Sequence, residues 1–248
     1  MPTIYDGQLH EPILTLLTPS RNACTDGGPT PDVPPTNDGL DLTRKAFLEA
    51  ILGGQRMAAL NIVEEALRAG HNQLDIYVNV FTESLHRVGE LWELNKISIG
   101  QEHVATSITQ YAIASIYPRL VRTEMQRGLM VVTGVSGELH QIGANIVADA
   151  MEANGWKVDF LGSNLPYSAV VAAVEESSAS VLCISTTMTA NLPSVADLVD
   201  VIRRKLGDRA PRIVLGGAAY RLAPSFAREV GVTEAFTDLR SALAVLCS

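Results

Sequence analysis

The chain has 248 residues, of which 47% are hydrophobic and 19% charged, with a formal net charge of −8. That is enough apolar material for one large or two small cores, and the acidic balance excludes the clustered Lys and Arg that broad nucleic-acid binding needs. Cys24, Cys183 and Cys247 are too scattered for a zinc site or a disulfide framework, and no apolar run nears the ~20 residues of a membrane span. With no signal-peptide pattern either, the expectation is a cytoplasmic protein that does not contact membranes.

Residues 1–39 read as a flexible tail, because Pro19, Pro29, Pro31, Pro34 and Pro35 interleave with Gly, Thr and Asp. The one apolar patch in it is Ile13, Leu14, Leu16 and Leu17. From Asp41 the apolar period becomes helical. One helix ends at Gly53-Gly54 and a second, from Met57, ends near Gly70. A third is predicted from Leu74 to Leu94, and a fourth from Ser98 to about Gln126 with a kink at Pro118. Four consecutive helices with short connections predict a four-helix bundle over residues 40–127.

After Gly128 the pattern changes to alternating strands and helices. Strands are predicted at Leu129–Thr133, Trp156–Leu161, Val181–Ser185, Arg212–Leu215 and Ala235–Phe236. Helices are predicted at Ile142–Asn154, Ser168–Glu176, Leu192–Leu206, Ala219–Val230 and from Arg240. Such alternation gives a five-stranded parallel sheet, flavodoxin-like and Rossmann-like, with helices on both faces over residues 128–248. The fold class expected for the whole chain is therefore a helical cap followed by an α/β domain.

Ligands of open α/β sheets collect beyond the carboxyl ends of the strands, where strand order reverses. For a flavodoxin-like order that crevice lies between the first and third strands. The first strand runs out into Gly134-Val135-Ser136-Gly137-Glu138-Leu139-His140, the third into Ser185-Thr186-Thr187-Met188-Thr189, and the fourth into Gly216-Gly217. An imidazole at position 140 can ligate a metal through one nitrogen and be oriented through the other, with Glu138 as the acceptor for its second N–H. Taken alone, one loop histidine is more simply a solvated side chain or a cap for the next helix.

The spacing adds to this. Glu138-x-His140-x-x-Gly143, followed by Ser185-x-Thr187 and Gly216-Gly217, resembles the Asp-x-His-x-x-Gly signature and later elements of cobalamin-binding domains. The resemblance covers roughly residues 128–248. It implies that His140 is the lower axial ligand of cobalt. It further implies that Gly143, Gly216 and Gly217 leave room for the displaced nucleotide tail, which threads between the first and fourth strands. Ser185, Thr187 and Thr189 then hydrogen-bond the tail or the corrin amides. The common signature has Asp where this chain has Glu138, which reaches one methylene further. The Glu form is that of adenosylcobalamin-dependent light sensors.

Trp92, nine residues before Glu102-His103, resembles the adenosyl-binding motif of cobalamin photoreceptors of the CarH and LitR type. This implies that Trp92, Glu102 and His103 shape a pocket around the upper adenosyl group. The functional expectation is then an adenosylcobalamin light sensor, not an enzyme, whose photolysis changes cap packing. Its output would pass through self-association as a homo-oligomer or through a downstream regulatory protein, since the Pro-rich segment before the cap is not expected to form a DNA-binding domain. Some stand-alone sensors of this group also hold a bilin such as biliverdin, although no residue here specifies that site. Relatives with His directly after the cap Trp use it as an upper ligand, and this chain has Glu93 there. Two alternatives stand beside this reading: a corrinoid carrier of a methyltransferase system, and a cobalt-free flavodoxin-like signalling module.

Overall fold

The computed structural model describes residues 37–248. The expected tail, with its patch at Ile13, Leu14, Leu16 and Leu17, lies outside the described residues up to position 36. Helix α1 (Asn37–Leu52) takes up the last three residues assigned to that tail. It is followed by α2 (Arg56–Arg68) and α3 (Gln73–Ile76). A π-helical turn at Tyr77–Thr82 leads from α3 into α4 (Glu83–Glu93), and α5 (Ile99–Ile116) completes the cap.

The helical period places Phe47, Ile51, Tyr77, Phe81, Ile108 and Ile116 in one core. There the Phe81 ring lies 5.1 Å from that of Phe47 and 5.7 Å from that of Tyr77. Ser98 and Gln101 form a reciprocal capping box that fixes where α5 begins. The fourth helix is shorter than its expectation. A 3₁₀ turn at Tyr117–Arg119 ends it, so Pro118 terminates the helix instead of kinking it.

The five parallel strands are β1 (Leu129–Gly134), β2 (Lys157–Gly162), β3 (Val181–Ser185), β4 (Arg212–Gly216) and β5 (Ala235–Phe236), in the order β2-β1-β3-β4-β5. The crossovers are α6 (Ile142–Ala153), α7 (Tyr167–Ser177), α8 (Leu192–Leu206) and the short pair α9 (Ala219–Leu222) and α10 (Phe226–Glu229); α11 (Leu239–Leu246) closes the chain. One helix was expected over 219–230. Pro224 divides it, because proline cannot donate the backbone bond that would continue α9.

Strand alternation splits the core by face. Val131, Leu182, Ile184, Ile213 and Leu215 pack under α7 and α8. Met130, Val132, Cys183 and Val214 pack on the other face with Met151 and Trp156. The order in which strands are added reverses between β1 and β3. Register aligns Gly134 with Ser185 and Ser185 with Gly216, so three glycine- or hydroxyl-bearing strand ends share one edge. β3 separates β1 from β4, so the crevice spans three strand exits instead of lying between the first and fourth strands directly.

Candidate cofactor site

His140 lies on the loop from β1 to α6. A positive φ of 87° at Gly137 turns that loop, and the Gly137 N–H donates to the Asn164 side chain at 2.9 Å. The turn drives Glu138 inward, where its side chain is fully buried. A buried carboxylate needs partners on both oxygens, and this one has five bonds. Oε1 accepts from the His140 ring Nδ1 at 2.6 Å and from the His140 amide at 3.0 Å. Oε2 accepts from the amides of Thr187 and Met188, at 2.9 and 3.2 Å, and from Asn191 Nδ2 at 3.0 Å. Burial alone would raise the pKa of Glu138; the bonds from His140, Thr187 and Asn191 outweigh it and hold the carboxyl at about 2.

In the neutral ring the contact selects the tautomer. Nδ1 donates to an ionised carboxylate, so the lone pair sits on Nε2, which has no protein partner among the described residues. The bond to Glu138 raises the proton affinity of the ring against the opposing effect of burial, and the charges of Glu138 and Glu102 add to it. The extra methylene of Glu relative to Asp therefore leaves the contact direct.

The other nominated residues divide by what they already do. The hydroxyls of Ser185, Thr187 and Thr189 make no protein hydrogen bond among the described residues. A Cβ on Gly143 would meet nothing within 4 Å, and one on Gly216 would meet only the Phe236 carbonyl oxygen at 3.7 Å. Gly217 differs: its φ is +116°, and a Cβ there would sit 2.3 Å from the Thr186 carbonyl oxygen. It is glycine because the backbones leaving β3 and β4 close on each other. In the cap, Trp92 is 44% exposed at the end of α4. Glu102 binds Thr106 Oγ1 at 2.8 Å and the ring of exposed His103 at 2.5 Å. Leu139 and Met188, on the two sheet loops, are also large and exposed, as are Leu94 just after α4 and Ile99 at the start of α5.

Asn191 was missing from the sequence expectation. It comes 53 residues after Glu138, and only the adjacency of β1 and β3 brings them together.

Among the described residues no group of three or more His, Cys, Asp or Glu side chains could hold a bare metal ion. One imidazole with a free Nε2 instead suits a metal whose equatorial positions a macrocycle already fills. Apolar side chains on both the loops and the cap, together with the open space at Gly143 and Gly216, fit a corrinoid. No described helix is long and apolar enough to cross a membrane.

Comparison with known proteins agrees. Two family models, each described as a B12 binding domain, match residues 43–117 and 128–246. Trimethylamine corrinoid protein 1 of Methanosarcina acetivorans is 24% identical over 173 residues, covering 68% of this chain and 80% of that one. Dimethylamine corrinoid protein 1 of Methanosarcina mazei is 24% identical over 172 residues, covering 68% and 79%. The solved structure of the Methanosarcina barkeri monomethylamine corrinoid protein shares the fold, with a TM-score of 0.75 at 23% identity, covering 84% of this chain and 98% of that one.

These relatives overturn the light-sensor expectation, since they are corrinoid proteins named for methylamines. Neither an adenosyl upper ligand nor a bilin has support among them. The Trp92-x9-Glu102-His103 spacing has a simpler cause. Trp92 is in the last turn of α4 and Glu102 in the first turn of α5, so the length of the capped connection sets the interval whatever the upper ligand. Through residues 43–117 and 128–246, the chain belongs to the cobalamin-binding proteins, with a helical B12 binding domain followed by an α/β one.

Proposed function

We propose that this protein is a corrinoid carrier of a methyltransferase system and has no catalytic side chain of its own. The observation that carries the reading is the buried Glu138–His140 pair with Nε2 left free, in a chain whose relatives are methylamine corrinoid proteins. When bound, the corrinoid would supply a cobalt centre able to accept a methyl group and give it up again.

The residues of the chain do the rest. His140 Nε2 would hold the metal, and Glu138 keeps the proton on Nδ1 so that Nε2 has its lone pair free. The Thr187 and Met188 amides and Asn191 hold Glu138 in turn. Gly143 and Gly216 make room for the nucleotide tail, Gly217 lets the strand exits close around it, and Ser185, Thr187 and Thr189 offer hydroxyls to its polar atoms. Trp92, Glu102 and His103 face the upper side and limit water there. The partners this reading requires are a methyl-donating and a methyl-accepting protein; nucleic acid has no part in it, and a soluble, cytoplasmic setting fits it.

The test is reconstitution with hydroxocobalamin, reduction under anaerobic conditions and addition of iodomethane. The holoprotein should take up one methyl group with release of iodide, and should then lose it to a thiol acceptor when a partner methyltransferase is present. A chain that binds cobalamin but neither accepts nor passes on the methyl group refutes the carrier reading. Failure to bind cobalamin refutes the site itself.

A further inference from the structure

A second cavity, of about 580 Å³, lies between α5, α6 and the edge strand β2. Val158 and Phe160 give it an apolar side, Gln110 and Tyr117 of the cap face them, and Asp149 and Glu152 of α6 supply carboxylates. It shares no residue with the proposed corrinoid contacts, and no Lys or Arg lines it.

The two carboxylates are not equivalent. Both oxygens of Glu152 are engaged: Oε2 accepts from Tyr117 at 2.6 Å and Oε1 from Arg122 at 3.3 Å. The Arg122 guanidinium also lies 4.7 Å from the centre of the Tyr117 ring, which neutralises that corner. Asp149 is only 8% exposed. Its Oδ2 accepts from Tyr77 at 2.9 Å and from Asn145 at 3.2 Å. Its Oδ1 has no protein partner among the described residues and is not sealed from solvent, so it opens into the cavity. A carboxylate this buried is costly unless its charge is met. An apolar cavity with a few convergent polar groups is the usual form of a small-molecule site.

We propose that this cavity binds a small organic cation, an ammonium group on a compact apolar body. The charge sits on Asp149 Oδ1 and the body rests against Val158 and Phe160. Because its walls come from both the cap and the α/β domain, an occupant ties the two together next to the corrinoid loop.

Burial raises the pKa of Asp149 to about 6, opposed by the bond from Tyr77. The other groups facing it are Asn145, Tyr117 and the mutually paired Glu152 and Arg122. Cation binding should therefore follow ionisation of Asp149. About a tenth of the sites are competent at pH 5, against nearly all at pH 7.5, so affinity should fall about tenfold between the two.

The experiment is calorimetric titration of the full, cobalamin-loaded chain with choline and with its uncharged isostere 3,3-dimethylbutan-1-ol. Choline should bind at least tenfold more tightly than the alcohol at pH 7.5, and Asp149→Asn should lose at least tenfold. Ala114→Trp, which fills the cavity from an exposed helix position, should abolish binding without moving the unfolding midpoint. Equal binding of the isostere, or choline binding retained by either variant, overturns the proposal. So does the absence of binding by choline, tetramethylammonium and benzylamine alike.

Discussion

Replacing Glu138 by Gln keeps the size of the side chain and removes its charge, which tests the core of the site. The carboxylate takes five bonds from donors in a fully buried position. A Gln amide can accept on one side only. If its oxygen stays toward His140, its NH₂ points at the Thr187 and Met188 amides and at Asn191 Nδ2, donor against donor. If it flips, the NH₂ meets the His140 Nδ1–H, and the ring must change tautomer or turn away. Either arrangement leaves at least two buried donors unpaired and replaces charge-assisted bonds by neutral ones. At roughly 1–3 kcal/mol for each buried group left unsatisfied, the apoprotein should lose about 3 kcal/mol. Urea unfolding of the apoprotein measures this, and the absorbance of cobalamin-loaded protein reports whether the imidazole still sits on cobalt. Glu138→Asp retracts the carboxylate by one methylene, so it should keep one set of bonds and fall between wild type and Gln. A Gln variant within 0.5 kcal/mol of wild type, with an unchanged holoprotein spectrum, would show that the pair neither holds the loop nor orients the ring.

Other substitutions separate binding from folding. His140→Ala should weaken cobalamin binding at least tenfold in equilibrium dialysis and remove the imidazole-ligated spectrum, while costing the apoprotein about 1–2 kcal/mol, because buried Glu138 Oε1 loses the bond from Nδ1 but keeps the one from the amide of residue 140. Gly217→Ala forces a side chain into a positive φ and 2.3 Å from a carbonyl oxygen; a cost of about 2–4 kcal/mol, read as a lower Tm of the apoprotein, is expected. Asp149 titrates near pH 6 when folded, above its usual 3.8. The folded state therefore holds the proton more tightly, and stability should fall as pH rises from about 4 to 7, by ~3 kcal/mol from this group alone. Asp149→Asn should flatten that fall in urea unfolding measured across pH, and an unchanged slope would refute the assignment.

Most of the α/β half was legible in the sequence because buried parallel strands leave continuous apolar runs, as β1, β3 and β4 do, whereas the edge strand β2 alternates through Lys157 and Asp159 and β5 is two residues long. The helix ends were less so. The apolar period stops at Ile116, and the polar run Arg122, Thr123, Glu124, Gln126 and Arg127 carries no helical signal, yet Pro118 alone could be read either as a kink or as an end. The Thr123 amide donates instead to the Ala153 carbonyl oxygen, a bond that depends on how α6 packs and that no local pattern encodes. In the site, the Glu138–His140 pair could be read because its members are two residues apart. Asn191 could not, since an Asn before Leu192-Pro193 looks like an ordinary start to a helix.

The same contrast explains why spacing along the chain says more about the His140 side of the site than about the cap side. On the His140 side, chemistry constrains the sequence tightly: one ring nitrogen must be held so that the other is free, and a buried carboxylate must find every donor it needs within one loop and the exit of the strand beside it. Little freedom remains in the spacing, so the pattern from Glu138 to Gly143 carries information about the ligand. On the cap side, Trp92 and Glu102 are placed by where one helix stops and the capping box of Ser98 and Gln101 starts the next. Any cap with that connection repeats the interval, whether the group it covers is large or as small as a methyl. The identity of the upper ligand therefore rests on the volume and polarity of the space the cap leaves, which spacing along the chain does not encode. That makes Trp92→Ala informative: if the Trp limits water above the metal, the methylated holoprotein should bind cobalamin as before but lose its methyl group several-fold faster in the dark, and an unchanged lifetime would assign Trp92 to cap packing alone.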